Sequence, residues 1–258
     1  MGIAARIAAA QLSGLARSRR QIVAGPLVGL LHDDDVWFLS TMLAADPGTP
    51  FDPDEVSWAL DTVRLAFAAE ERWLHGELIE EANPGLAEAL TEHGMIIRSR
   101  PPLLAVEPAD LVIPDLPDGI TAARVATAEE HAEGNAVAAD AYKTEDVATT
   151  FQPDPASGGA VLIRENGVPV AIASWTAIAD GVTEVVGVGT LHSHRRRGLG
   201  ALATAYATQH AFESAGADLA WLTPGDEGAD RIYRRLGYEP KATAVHLGDP
   251  GGHLEDLV

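Results

Sequence analysis

The second half of the chain shows a regular succession of apolar and polar positions. Residues 183–190 (TEVVGVGT) alternate as in a strand, and residues 198–215 form an unbroken alanine-rich helical pattern. Thr127 and Glu130 have the spacing of a capping box, and Asn166-Gly167 predicts a hairpin turn. The predicted order is β-α-β-β-β-α-β-α-β, with elements at 120–124, 127–142, 160–164, 168–178, 183–190, 198–215, 219–223, 228–236 and 242–247.

The first half has a weaker pattern of mixed elements. We expect a helix, a hairpin around a polar loop, a second helix, a strand and a short helix, at 3–18, 27–31 with 36–43, 56–69, 73–79 and 85–93. Prolines become frequent between residues 100 and 119, as in a connector. We therefore place a boundary near residue 115, which gives domains at 1–115 and 116–258.

A weak internal repeat relates the two halves. Residues 85–95 and 228–238 have the same length, and each forms a short helix, a glycine, an apolar residue and the start of a strand. Leu90 stands opposite Tyr233 in this pairing. Duplication explains the likeness, and chance is the alternative because helices often end in glycine.

Composition limits the classes of partner. The 258 residues carry a formal net charge of -20, spread over both halves, which disfavours nucleic acids and anionic membranes. The absence of cysteine excludes disulfides and thiolate sites. The first residues lack a signal-peptide pattern, and no apolar run approaches membrane-spanning length. We expect a cytoplasmic protein without a membrane partner, and a homodimer is one assembly that the sequence allows.

Three consecutive arginines precede two glycines at the start of the helix predicted over 198–215. Free N–H groups and the helix dipole make such a start suitable for anions, and arginines add charge-assisted hydrogen bonds. A phosphate-bearing ligand is the favoured interpretation, and a solvated surface loop is the alternative. A dinucleotide fingerprint at Gly198-x-Gly200-x-x-Ala203 fails because a polar stretch separates it from its strand, and no P-loop sequence occurs.

Two motifs resemble the GNAT superfamily of N-acetyltransferases. The segment 195–201 (RRRGLGA) is similar to the acetyl-CoA signature Arg/Gln-x-x-Gly-x-Gly/Ala. The segment 226–238 (DEGADRIYRRLGY) resembles the second family motif, with Asp226 where asparagine is usual. The resemblance covers the second half and implies an α/β fold with a GNAT-like mixed central sheet flanked by helices. It implies a tandem arrangement in which domain 1–115 is a degenerate GNAT-like copy without the cofactor motif.

The resemblance assigns a cofactor site for acetyl-CoA (coenzyme A). Its pantetheine arm would pair with the strand at Val188, Gly189 and Thr190. Its pyrophosphate would lie on the loop formed by Arg195, Arg196, Arg197, Gly198, Leu199, Gly200 and Ala201. Asp226 would lie near the cofactor, and Tyr233 matches the position that often protonates the departing thiolate.

Amine acetylation also needs a base, because an alkyl amine with a pKa of about 10.4 is protonated at neutral pH. Glu184 is the candidate, and the resemblance supports it because some family members use a glutamate on this strand. Strand alternation would place Glu184, Val186, Val188 and Thr190 on one face. The alternative is a solvent-facing strand residue.

Two histidines and three large aromatic residues are further candidates for binding roles. His192-x-His194 lacks a third ligand nearby, so we predict turn histidines and no metal site. Trp175, Trp221 and Tyr142 could line an acceptor pocket, although tryptophans in strand patterns more often belong to the core.

These observations predict an enzyme. The expected reaction is transfer of an acetyl group from acetyl-CoA to a primary amine of a small cationic molecule, by direct attack. The alternative is an acyl-CoA-binding sensor or scaffold protein without turnover.

Overall fold

The computed structural model describes residues 2–34, 36–145, 151 and 153–251. The helices in this part of the chain are α1 (Ile3–Leu15), α2 (Val56–Ala69), α3 (Leu86–Glu92), α4 (Ala128–Tyr142), α5 (Leu199–Glu213) and α6 (Glu227–Arg235). The strands are β1 (Arg20–Ala24), β2 (Leu27–Leu31), β3 (Thr41–Ala44), β4 (His75–Ile79), β5 (Ile96–Ser99), β6 (Pro102–Val106), β7 (Ile120–Arg124), β8 (Gly159–Glu165), β9 (Val168–Trp175), β10 (Val182–Thr190), β11 (Leu219–Leu222) and β12 (Glu239–Gly248).

The chain forms two compact units. Unit 1 comprises Met1–Leu103, Thr223–Asp226 and Pro240–Val258, and unit 2 comprises Leu104–Leu222 and Glu227–Glu239. Each unit has its own mixed sheet with helices packed on both faces, which confirms the predicted α/β class.

The sheet of unit 1 has the strand order β1-β2-β3-β4-β12, and β5 also pairs with β12. The β3–β4 pair is parallel, and the other pairs are antiparallel. One buried cluster joins Leu78 and Leu247 of the sheet to Phe67 of α2 and Leu90 of α3. A smaller cluster lies beneath α1. The helices of this unit therefore cover apolar residues on both faces of its sheet.

The sheet of unit 2 begins with the last residues of β6 and has the strand order β6-β11-β10-β9-β8-β7. The β10–β11 pair is parallel, and the others are antiparallel. Helix α5 buries Leu202 and Ala203 against Val161 and Trp175 on one face of the sheet. On the opposite face, Val137 of α4 shares a buried cluster with Leu162 and Ile172, so the sheet lies between two helical layers.

Local sequence signals explain several elements of unit 2. The Thr127 side chain accepts a hydrogen bond from the Glu130 N–H, and the Glu130 carboxylate accepts one from the Thr127 N–H. This confirms the predicted capping box of α4. Asn166 and Gly167 have φ angles of 49° and 86°, as the two-residue turn between β8 and β9 requires.

The first half departs from prediction at its first hairpin. Residues 36–43 were expected to form one strand, but only Thr41–Ala44 does so, after a 3₁₀ turn at Trp37–Leu39. Asp35, in the predicted loop, lies outside the described residues. β1 was not predicted, because Arg20 and Gln21 give it a polar start at the edge of the sheet.

The compact units also divide differently from the predicted boundary near residue 115. Leu104, Ala105 and Val106 pair with β11 in unit 2, whereas residues 244–248 of β12 pair with β4 in unit 1. Each sheet therefore contains a strand from the opposite half of the sequence. Hydrophobic patterning reveals that a strand exists but not which strand it joins.

Candidate active site

The parallel strands β10 and β11 pair over a short distance. Val182, Thr183 and Glu184 align with Leu219, Ala220 and Trp221, and the described pairing on that side ends there. β10 continues to Thr190. From Val185 onward, the β10 edge facing β11 is available to main-chain groups of an extended ligand.

A bulge at Gly187 changes the direction of the side chains along β10. Val186 pairs with Ser174 and Gly189 with Ile172, so β10 holds one extra residue, and Gly187 has a φ of 62°. A glycine inside a strand was the sequence signal for this bulge.

The bulge corrects the prediction that Glu184, Val186, Val188 and Thr190 share one face. A Cβ on Gly200 of α5 would lie 3.4 Å from Thr190 Oγ1 and 3.8 Å from Val188 Cγ1, so these two side chains face α5. Val185 also faces α5, in a buried cluster with Ala205. Half-buried Glu184, adjacent to Val185, therefore points to the opposite face of the strand.

The glycine turn before α5 presents unpaired main-chain donors. Gly198 has a φ of 80° and precedes the first residue of the helix. Among the described residues, none accepts a hydrogen bond from the N–H groups of residues 198–201. The first turn contains no acidic residue. The turn and the helix dipole therefore form a site suited to an anion.

The three arginines before this turn have different partners. Arg195 donates to the carbonyl of Ala141, at the end of α4. Arg197 binds the carboxylate of Glu165, which lowers the pKa of Glu165 and raises that of Arg197. Within the described chain, Arg196 has neither a hydrogen bond nor an ion pair, and it is exposed with a φ of 62°. Arg196 is therefore the guanidinium most available to a ligand.

The last turn of α4 is fastened to β10 and to the loop that follows it. Asp140 Oδ2 accepts a hydrogen bond from the His192 N–H at 2.7 Å, next to the Ala141–Arg195 contact. Tyr142 donates its hydroxyl to the carbonyl oxygen of Val188 at 3.0 Å, and desolvation of this hydroxyl group, although the residue as a whole is exposed, raises the pKa of Tyr142. No local sequence pattern predicts these contacts, since they link positions that are some 50 residues apart.

Asp226 directly before α6 and Tyr233 in its last turn occupy different environments. Tyr233 is 8% exposed, in the buried cluster that includes Val185 and Tyr238. Its ring centroid is 6.2 Å from that of Tyr238. Asp226 is exposed and directly precedes Glu227, the first residue of the helix. Tyr233 thus lies on the α5 and α6 face of β10, opposite to the Glu184 side chain.

The remaining candidates have structural positions. Trp175 and Trp221 are 2% and 1% exposed and belong to the core. His194 lies 3.5 Å from the Glu165 carboxylate and 2.8 Å from the Ser193 hydroxyl. No group of three histidine or acidic side chains suited to a metal ion occurs in the described ranges. In those same ranges, no helix is long and apolar enough to cross a bilayer.

Comparison with known proteins relates this geometry to one family. The sequence profile of the acetyltransferase (GNAT) family matches residues 124–238, which contain β10, the glycine turn and α6. No curated protein sequence matches the chain.

Solved structures extend the likeness to the whole chain. A GCN5-related N-acetyltransferase from Kribbella flavida is 76% identical, covers 99% of this chain and 99% of its own, and has a TM-score of 0.92. A GCN5-related N-acetyltransferase from Sphaerobacter thermophilus is 16% identical, over 87% of this chain and 76% of its own, with a TM-score of 0.62. A tandem GNAT protein from the clavulanic acid biosynthesis pathway is 14% identical, over 88% of this chain and 78% of its own, with a TM-score of 0.58. The last two share the fold alone. The identity over nearly the full length of the first shows that this chain belongs to the GCN5-related N-acetyltransferase family.

Proposed function

We propose that unit 2 transfers an acetyl group from acetyl-CoA to a primary amine of a small cationic molecule. The observation that carries this proposal is the opening between β10 and β11 beside the unpaired N–H groups of residues 198–201. Family membership supports acyl transfer as the class of activity.

The residues around the opening fit coenzyme A. A diphosphate on the glycine turn would accept hydrogen bonds from residues 198–201 and an ion pair from Arg196. Gly200 leaves space beside Val188 and Thr190, because a Cβ there would already touch Thr190. Arg195 and Arg197, which have protein partners, hold the loop in shape. Asp226 belongs to the proposed site on the family resemblance alone.

Bound acetyl-CoA would supply an acetyl thioester, and the acid and base would come from the protein. Glu184 accepts the amine proton through water, so that the neutral amine attacks. Tyr233 donates a proton to the departing sulfur. A main-chain amide near Val188 stabilises the negative charge on the carbonyl oxygen. Because Glu184 and Tyr233 lie on opposite faces of β10, each would approach a thioester in the opening from its own side of the strand.

A cationic acceptor is consistent with the charge of the chain. The formal net charge of -20 attracts cations and repels anions over distances of about a Debye length, which is about 8 Å at physiological ionic strength. This supports small polyamines, amino-sugar amines or amino-acid amines as the first substrates to test.

Acetyl transfer to a panel of amines tests the proposal. We expect Glu184→Gln and Tyr233→Phe each to lower kcat by about 10²-fold or more, with acetyl-CoA binding retained. Glu184→Gln should lose most of its effect at high pH, where the free amine is abundant. Unchanged rates in both variants would remove the assigned roles.

One observation favours the second candidate, an acyl-CoA-binding sensor or scaffold. The bulge at Gly187 turns Glu184 away from the face that carries Val188 and Thr190. Binding of acetyl-CoA without transfer to any amine in the panel would select this candidate.

Unit 1 is proposed to be a degenerate copy of the same fold. Its elements follow the order α1-β1-β2-β3-α2-β4-α3, and those of unit 2 follow the corresponding order from α4 to α6. The parallel pair β3–β4 corresponds to the pair β10–β11. In this proposal unit 1 does not bind acetyl-CoA, because the segment before α2 lacks an arginine-glycine turn.

A further inference from the structure

The hydroxyl of Tyr142 binds the main chain of β10 in the proposed cofactor site. Its oxygen lies 3.0 Å from the carbonyl oxygen of Val188. Val188 follows the bulge at Gly187, in the part of β10 that has no described partner on the β11 side. A carbonyl in such a position is where an amide N–H of an extended ligand would donate.

The contact can be broken without moving the helix that carries Tyr142. The end of α4 is held separately by the Asp140–His192 and Ala141–Arg195 hydrogen bonds. Ala141 also lies against β10, since a Cβ on Gly189 would be 3.0 Å from Ala141 Cβ. Tyr142 is 54% exposed as a residue, so its ring has room to rotate toward solvent. The hydroxyl can therefore leave Val188 while the helix stays in place.

We propose that Tyr142 is a specificity-determining residue whose hydroxyl competes with a pantetheine amide for the carbonyl of Val188. This inference rests on the proposed function, since it takes coenzyme A as the ligand of this strand. The competition lowers affinity only for ligands that carry the amide-bearing arm. A nucleotide without the arm binds at the glycine turn and leaves the Tyr142 contact intact.

Calorimetry with two ligands tests this inference. Coenzyme A carries the pantetheine arm, whereas adenosine 3′,5′-bisphosphate carries the nucleotide with one of the two 5′ phosphates and no arm. Tyr142→Phe removes the competing hydroxyl, so coenzyme A should bind about two- to tenfold more tightly, with unchanged affinity for the bisphosphate. Equal or weaker binding of coenzyme A by Tyr142→Phe would overturn the inference.

Tyr206→Phe is the matched control. Its hydroxyl lies 3.4 Å from the main-chain carbonyl of Pro114 in the same unit, and no hydrogen bond joins it to β10 within the described residues. Both ligands should bind this variant as they bind the wild-type chain. A gain for coenzyme A equal to that of Tyr142→Phe would overturn the inference, because the effect would not be specific to Val188.

A spectroscopic readout is independent of affinity. The chain has 4 tyrosines, so protein labelled with 3-fluorotyrosine should give a simple ¹⁹F NMR spectrum in which Tyr142→Phe identifies one signal. Coenzyme A should shift that signal toward the solvent-exposed value, and the bisphosphate should not. Equal shifts with both ligands would contradict the competition. Failure of the wild-type chain to bind coenzyme A at all would instead remove the proposed function, and this inference with it.

Discussion

Helices α2 and α5 occupy the same place in the element order of their units but differ in what their first turns offer. The chain enters α2 through a 3₁₀ turn in which Asp52 Oδ1 accepts a hydrogen bond from the Asp54 N–H, Pro53 has no N–H, and Asp54 and Glu55 add negative charge. Helix α5 follows a glycine turn with unpaired N–H groups and no acidic residue. The shared topology therefore supplies a helix terminus, and a few residues decide whether it can bind an anion.

The loops after the parallel strands show the same contrast. In the loop after β3, the carbonyls of Asp46 and Thr49 accept hydrogen bonds from Asn83 Nδ2, at 3.1 and 3.0 Å. These two bonds close the loop. After β10, Arg195 and Arg197 bind residues outside the loop and leave its glycine turn open. In unit 1, side chains of the same unit hydrogen-bond main-chain groups of this loop and of the turn before α2. In unit 2, the main-chain N–H groups of the glycine turn are left for a ligand.

The ends of α3 and α6 are alike, in contrast to these starts. Met95 and Tyr238 donate their N–H groups to the carbonyls of Leu90 and Tyr233 at the same sequence spacing. Gly94 and Gly237 have φ angles of 92° and 94°. The predicted correspondence of residues 85–95 with 228–238 thus has a counterpart in hydrogen bonding, which supports duplication.

The largest effect should come from giving α5 the acidic start of α2. Arg196→Glu combined with Gly198→Asp places two negative charges beside the proposed diphosphate. At about 4 Å and an effective dielectric constant of about 20, each repulsion is about 4 kcal/mol, so coenzyme A should bind at least about a thousandfold more weakly. Calorimetry measures the loss.

Gly216→Asp is a matched control for the glycine change. Gly216 and Gly198 have φ angles of 83° and 80°, and a Cβ at either would meet nothing within 4 Å. The control adds the same charge and the same backbone strain beyond the opposite end of α5. If it weakened binding as strongly, the location of the charge would not matter.

A smaller effect, on the free energy of unfolding, should distinguish the glycine after α3 from the glycine after α6. A Cβ on Gly237 would lie 2.0 Å from the carbonyl oxygen of Asp110, whereas one on Gly94 would be 3.8 Å from its nearest neighbour, Arg64 Nη2. We expect Gly237→Ala to lower the free energy of unfolding by about 3 kcal/mol and Gly94→Ala by about 1 kcal/mol. Urea unfolding measures both, and equal losses would contradict the role of the Asp110 carbonyl.

Opening the closed loop of unit 1 should cost somewhat less than the clash at Gly237. Asn83 is 7% exposed and donates two hydrogen bonds, so Asn83→Ala should lower the free energy of unfolding by about 2 kcal/mol. Asn83→Asp keeps the size of the side chain and loses both N–H donors, so this variant should be no more stable than Asn83→Ala. Neither variant should bind coenzyme A through unit 1, because Asp54 and Glu55 remain at the start of α2. Binding of a second equivalent of coenzyme A would contradict this.

The smallest effect concerns a paired polar group on the sheet of unit 1. His246 Nε2 lies 3.2 Å from Glu77 Oε2, and the Ser99 hydroxyl lies 3.0 Å from His246 Nδ1. Although burial lowers the pKa of His246, the Glu77 carboxylate outweighs it and holds that pKa above its usual value. For Glu77, burial acts in the opposite direction and raises the pKa. The interactions with His246 and Gln11 outweigh burial and bring the pKa of Glu77 below its usual value.

These directions predict how stability changes with pH. Because the pKa of His246 is raised on folding, its contribution is complete below the ordinary histidine pKa of 6.5 and is lost as pH rises through the folded value. The Glu77 contribution is present above the ordinary carboxyl pKa of 4.5 and is lost as pH falls. Both Glu77→Gln and His246→Gln should flatten the decline in unfolding free energy above pH 6.5. Retention of the wild-type slope in both variants would assign that decline to other groups.

Local sequence signals predicted most of unit 2 and the glycine turn. The capping box at Thr127, the Asn166-Gly167 turn and the element order from β7 to β12 depend on neighbouring residues, and the structure confirms them. The face of Glu184 was predicted wrongly, because alternation holds only in a regular strand and Gly187 adds a residue. The partners of Tyr142 and Arg195 depend on tertiary packing, so no local pattern could supply them.

The exchange of strands between the two halves of the sequence has a consequence for protein synthesis. The ribosome makes β4 and β5 well before β12, yet both strands pair with β12. The sheet of unit 1 is therefore completed only after the strands β7 to β11 of unit 2 have been made. A nascent chain that stops before residue 240 would expose an edge of that sheet, where chaperones and proteases could recognise it.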